Sequence, residues 1–254
     1  MQDLSQGPVG KRIFYFALPM LLGNVFQQLY NIVDTIIIGR YIGTEAVAAS
    51  GASFPVIFVL VSLVIGITTG TTIIISQYFG AKDFEKVRSA IDTAFVFLFF
   101  TSIVLSITGI LLIEHIWSLI GLPLHLRPDA TIYFSVFAAG LIFMFGYNAT
   151  SAVLRGLGDS RTPLYFLIIA TFLNIGFDLL FVLVFGWGIA GVAFATVLAQ
   201  AIAFGLSIIY LNRTHKLIRF ALRGLVFDWE IFRNSLRIGL PTGFQHTFVS
   251  LGMM

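Results

Sequence analysis

The chain contains no cysteine, which rules out a disulfide framework and a thiolate metal site. Charge is scarce as well: Asp, Glu, Lys and Arg make up 11% of the 254 residues, against about 25% in a typical soluble domain. Proline is limited to 7 positions, of which Pro19 and Pro55 fall inside apolar runs, where each can free a backbone carbonyl and bend a span. Hydrophobic residues reach 58%, above the roughly 45–50% of water-soluble proteins. That balance excludes an ordinary soluble fold. The 15 Lys and Arg do not pool into a patch interleaved with aromatics, so nucleic acid is excluded as a partner.

What is present is a series of apolar runs. In hydrocarbon every backbone polar group must be paired within the protein, so runs of about 18 or more apolar residues indicate helices. The first, 26 residues from Ile13 to Ile38, is too long for the core of a signal peptide and has no cleavage site behind it. A second span fits between Glu45 and Lys82, and a third occupies the 21 residues between Asp92 and Glu114. A fourth lies between Asp129 and Arg155. The run from Thr162 to Asn212 is divided by Phe185-Gly186-Trp187-Gly188 into a fifth and a sixth. The fold class predicted is therefore an all-α membrane protein, a six-helix transmembrane bundle with the start of a seventh helix after Arg237.

An alternating path with the N-terminus in the cytoplasm puts 13 of the 15 Lys and Arg on one side, leaving only Arg40 and Arg127 outside. The positive-inside rule favours that orientation. The expected organisation is a transmembrane lobe over 1–211, an amphipathic cytoplasmic linker over 212–237, and the start of helix seven over 238–254. The linker mixes Leu217, Ile218, Phe220, Phe227 and Trp229 with six basic residues, a pattern suited to the inner membrane surface.

Ionisable residues inside a span cost roughly 2.5–3.5 kcal/mol on insertion scales and point to function. Two stand out, Asp34 and Asp178. Gln27, Asn31 and Asp34 share one face of the first helix, and Thr171, Asn174 and Asp178 share one face of the fifth. Helix six presents Thr196 and Gln200 on one face, and Tyr133 begins helix four at a similar depth. Polar side chains in membrane bundles also serve merely to join helices. A neutral amide would do that with less desolvation than Asp, however, and the spans read in this way hold no Lys or Arg as counter-ion. The acids therefore need a proton, a metal cation or a cationic ligand. Oxygens of Asp34, Asn174, Asp178 and Thr196 would suit sodium as well as a proton.

Four stretches carry a resemblance. They are Ala17-Leu18-Pro19 with Gln27-Gln28-Leu29-Tyr30-Asn31-Ile32-Val33-Asp34; Ser76-Gln77-Tyr78-Phe79-Gly80-Ala81; Leu154-Arg155-Gly156-Leu157-Gly158-Asp159-Ser160-Arg161-Thr162-Pro163; and Gly188-Ile189-Ala190-Gly191-Val192-Ala193-Phe194-Ala195-Thr196. In that order and spacing the chain resembles the N-terminal half of a prokaryotic multidrug and toxic compound extrusion (MATE) transporter. The resemblance implies a twelve-helix antiporter of two six-helix lobes in the plasma membrane, the inner membrane of a bacterial cell. It would exchange protons or sodium for cationic amphipathic compounds, with no other cofactor. It also implies a cation-coupling site at Asp34, Asn174, Asp178 and Thr196, a wall lined by Gln27, Asn31, Tyr133 and Gln200, and a second lobe as partner. Small organic cations and membrane lipid are the other expected partners.

Two alternatives stand beside this reading: a lipid-linked oligosaccharide flippase of the same superfamily, which needs a more cationic cavity, and a truncated fragment that does not transport. An enzyme is not expected, because no two His share a helix face and no nucleophile stands beside a base. His115, His125, His215 and His246 are too scattered for a metal site. Gly156-Leu157-Gly158 follows no strand and is not a phosphate loop. Gly66 and Gly70 form a GxxxG-like pair, expected to serve helix packing.

Overall fold

The computed structural model describes residues 9–214 and 225–252. Among the described residues eight α-helices follow one another with no strand: α1 (Val9–Tyr41), α2 (Thr44–Gly80), α3 (Phe84–Leu119), α4 (Arg127–Ala139), α5 (Leu141–Gly156), α6 (Arg161–Leu179), α7 (Gly188–Thr214) and α8 (Trp229–Gly252). A single π turn, Leu180–Val184, continues α6. The fold is the all-α, six-helix transmembrane bundle expected, plus α8. Helices α2, α3, α6 with its π turn, and α7 are each long and apolar enough to cross a membrane. Helix α1 has the length at 33 residues but carries Asn24, Gln27, Gln28, Asn31 and Asp34 through its middle.

The fourth span is broken rather than straight. Helices α4 and α5 meet at Gly140 with a bend of 48°. A Cβ on Gly140 would run into the side chain of Val197, so the glycine is what lets α7 pass close to the bend. Sequence reading by charge-free intervals takes this stretch as one helix, because nothing in its charge pattern marks the break.

The turns at 42–43, 120–126 and 185–187 gather at one end of the bundle, here the distal end, and those at 81–83 and 157–160 at the opposite, proximal end. Ile38, Ala49, Trp117, Phe134 and Val192 form a buried apolar cluster toward the distal end. A second cluster, with Ile75, Ile91, Leu154, Leu157 and Leu211, lies toward the proximal end. Exposed Leu21, Val25, Ile32 and Ile36 on α1, and Phe100, Val104 and Leu111 on α3, form the apolar outer surface that a bilayer requires.

Helix α8 lies along α2. A Cβ on Gly66 would fall 2.7 Å from the carbonyl oxygen of Gly239, and one on Gly70 would collide with that of Ser235. Gly239 and Gly243 answer from α8, so the expected packing role of the GxxxG-like pair is met by a second such pair. Helix α8 also begins earlier than residue 238. Asp228 caps it, accepting from the backbone N–H of Glu230 at 2.9 Å and of Ile231 at 3.0 Å. Its own N–H donates to Thr93 Oγ1 at 3.0 Å, which ties the helix start to α3. The 229–237 part of the linker expected over 212–237 is therefore helical, and α7 runs on to Thr214. His215, Leu217, Ile218 and Phe220 lie outside the described residues.

Candidate ion-coupling and substrate site

Helix periodicity brings Thr171, Asn174 and Asp178 onto the buried face of α6, where Asn174 and Asp178 are fully enclosed. Opposite them α1 presents Tyr30 and Asp34, one turn apart and both buried, and α7 presents Thr196. The side-chain amide of Asn174 sits between the two acids. With its NH2 turned toward them it donates to Asp34 Oδ1 at 2.8 Å and to Asp178 Oδ2 at 3.3 Å. In the opposite orientation the NH2 lies 3.5 Å from Thr196 Oγ1. The Asp34 and Asp178 carboxyls thus lie on either side of one amide group. Two acids placed so near each other repel when both are ionised, which favours a proton or cation between them.

The surroundings hold this cluster in place. Tyr30 Oη donates to Thr196 Oγ1 at 2.8 Å, and Thr196 Oγ1 donates back to the Val192 carbonyl at 3.2 Å. Asp178 Oδ1 is buried without a hydrogen-bond partner among the described residues. The π turn begins two residues after Asp178. A π turn shifts the helix register by a residue, and such turns concentrate at functional positions. Beyond it Phe181 stacks on Trp187 with ring centroids 5.0 Å apart, closing the distal end of α6 against the start of α7.

A cavity of about 660 Å³ opens between α1, α2, α4, α5, α6 and α7. That lies within the 300–1,000 Å³ of typical small-molecule sites. Asp34 and Thr196 reach its wall, as do Gln27, Asn31, Tyr133 and Gln200. Asn174 and Asp178 do not, and sit behind Asp34. The eight residues expected from the sequence therefore divide into a buried polar layer and a cavity lining that share Asp34 and Thr196. Gln200 Oε1 is buried with no partner among the described residues, an acceptor left open beside the cavity. Tyr30 was missed by sequence reading, although it lies one turn before Asp34 on the same face.

The proximal part of the wall corrects one expectation. Arg155 was assigned to a cytoplasmic loop, and the spans were taken to hold no Lys or Arg. The structure places Arg155 in the last turn of α5, on the lining of the same cavity as Asp34. Charge-free intervals treat every charge as a boundary, so a charged residue in the last turn of a helix is read as loop.

The MatE family model matches residues 19–180. The chain is 36% identical over 252 residues to a probable multidrug resistance protein, YpnP, of Bacillus subtilis, covering 99% of this chain and 56% of that protein. It is 29% identical to a probable multidrug resistance protein, NorM, of Thermotoga maritima, covering 97% of this chain and 53% of the other. It superposes with a TM-score of 0.90, at 27% identity, on a MOP superfamily transporter from Pyrococcus furiosus, covering 99% of this chain and 56% of that one. An outward-facing multidrug resistance MATE transporter gives 0.87 at 27% identity, with 96% and 54% coverage. The chain thus spans about half the length of the curated relatives it matches. With its helices packed around a polar cavity and a family model matching residues 19–180, the chain belongs to the MATE family of multi-pass membrane transporters.

Proposed function

We propose that the chain forms the ion-coupling lobe of an efflux antiporter in which uptake of a proton by the Asp34–Asp178 pair drives release of a cationic amphipathic compound. The observation that carries this reading is the pair itself: two buried carboxyls bridged by the Asn174 amide, with no cationic side chain paired to either among the described residues. An amide suits such a site because it serves both protonation states, donating through its NH2 to a carboxylate and accepting through its oxygen from a carboxylic acid. When the pair is ionised, the cavity wall at Asp34 carries negative charge and holds a cation. When it is protonated, that attraction is lost. Asp34 and Asn174 link α1 to α6, and Tyr30 and Thr196 link α1 to α7, so protonation and the packing of these three helices change together. Gln27, Asn31, Tyr133 and Gln200 would orient the cargo along the wall.

In this reading the distal end faces outward and the N-terminus lies in the cytoplasm, the orientation that the distribution of basic residues favours. A second lobe closes the cleft, the arrangement that alternating access between repeats needs. Relatives named for multidrug resistance support a drug-like cargo. A flippase for lipid-linked sugars is less well supported, since the cavity's distal half is acidic.

The test is binding of a fluorescent lipophilic cation to the purified chain in detergent. Affinity should fall as pH is lowered from mildly alkaline to mildly acidic, and Asp34→Asn together with Asp178→Asn should abolish that dependence. Sodium displacing the dye at constant pH would make sodium the coupling ion. An unaltered pH profile in the double variant would refute the role of the pair.

A further inference from the structure

The cavity has a second polar pole that efflux of a simple cation does not use. Asn148, Ser151 and Arg155 follow one another at i, i+3 and i+7 on α5, so they share a face, and all three line the cavity toward its proximal end. Ser160, buried at the start of α6, lines it too, and its hydroxyl makes no cap bond to the helix. The guanidinium of Arg155 has no ion pair and no hydrogen-bond partner among the described residues. The acid nearest to it in sequence is already engaged. Asp159 accepts from the backbone N–H of Arg161 at 3.2 Å and of Thr162 at 3.0 Å, from the Thr162 hydroxyl at 2.6 Å and from Tyr210 Oη at 3.4 Å. It is held at the start of α6 and makes no ion pair with the arginine among the described residues.

A guanidinium taken out of water is costly unless an anion accepts its hydrogen bonds. Its planar fork of donors matches carboxylate and phosphate oxygens, and it stays charged at any physiological pH. Around it the wall is apolar, with Met144, Leu164 and Leu167 available to a hydrophobic body. The Asp34–Asp178 pair is roughly 25 Å away along α6, at about 1.5 Å per residue. That is too far for one small molecule to reach both poles, so the two ends work as separate subsites.

We propose that Arg155, with Asn148 and Ser151, forms an oxyanion subsite at the proximal end of the cavity, and that the cargo includes amphiphiles carrying a carboxylate or phosphate. The proposal rests on the cavity being the cargo chamber. A purely structural arginine, reaching past the cavity to the lipid headgroups, would give no such selectivity.

The test compares two ligands that share one cation: a zwitterionic rhodamine with a free carboxylate, and its ethyl ester. Fluorescence anisotropy with the purified chain in detergent should show the free acid binding about tenfold more tightly, the scale of one charge-assisted hydrogen-bonded contact. Arg155→Gln should erase that preference and Arg155→Lys should keep part of it. The comparison on the unaltered chain needs no variant to fold. Added phosphatidylglycerol that displaces the acid but not the ester would identify a lipid phosphate as the resident anion. A lack of displacement would leave soluble carboxylates and phosphates as the cargo. Equal binding of acid and ester overturns the subsite while leaving the cation chamber intact. Binding of neither overturns both.

Discussion

The two ends of the cavity are built on opposite plans. At the distal end the polar side chains are chained to one another, Tyr30 to Thr196, Thr196 to Val192 and Asn174 to both acids, with Asp178 Oδ1 left open among the described residues. At the proximal end the structural polar groups are tied to backbone, and Arg155 is left over. Tyr147 Oη donates to the Pro163 carbonyl at 2.9 Å, Thr72 Oγ1 to the Ala152 carbonyl at 3.1 Å, and Asp159 caps α6. A closed network responds to a small change of charge by rearranging as a unit, because each member is held by another. A lone cation on a stiff wall instead selects what binds it. The comparison teaches that the distal end is suited to switching and the proximal end to recognition.

The contrast can be broken at several points, and the largest effect belongs to the bridge. Asn174→Leu should strip both acids of their shared donor and lower stability by about 1–3 kcal/mol, the cost of leaving a buried polar group unpaired. Thermal unfolding followed by tryptophan fluorescence would show it, and the loss should be greater at alkaline pH, where the pair is ionised. Next comes the proximal end. Asp159→Ala removes the acceptor at the start of α6 and should cost about 0.5–2 kcal/mol, the range for lost helix caps. The same unfolding measurement should find this loss independent of pH, since no acid pair is disturbed. Tyr30→Phe is the mildest, at about 1 kcal/mol for one hydrogen bond. It should also shift the pH at which the lipophilic cation is released, because Thr196 loses a donor beside the pair. If Tyr30→Phe and Asp159→Ala altered that release equally, the division of labour between the ends would fail.

Much of the distal end could be read from the sequence. Asp34 and Asp178 stand out because a carboxyl in an apolar run is rare, and the helical repeat brings Asn174 to the same face as Asp178 without any knowledge of packing. Thr196 and Gln200 follow from the same arithmetic on α7. Tyr30 was hidden because tyrosine is at home in an apolar face, and only the contact across to α7 shows its hydroxyl at work. Arg155 was hidden by the opposite effect, a charge taken as loop when it sits in the last turn of α5 and faces the cavity. The bend at Gly140 depends on how near Val197 comes, which one glycine among 24 does not announce. The early start of α8 depends on Asp228 acting as a cap, a role indistinguishable by eye from that of any other loop aspartate.

The meeting of α2 and α8 carries a consequence of its own. Between Gly66 and Gly239 the two helices touch through main chain, so at that point no rotamer freedom is given up when they come together. On either side the joint is ordinary packing, with Ile231 and Leu236 set into the cluster that holds Ile67 and Ile74. Any side chain at either glycine would have to push the two rods apart, so the separation of α2 and α8 is fixed by hydrogen atoms alone at their crossing.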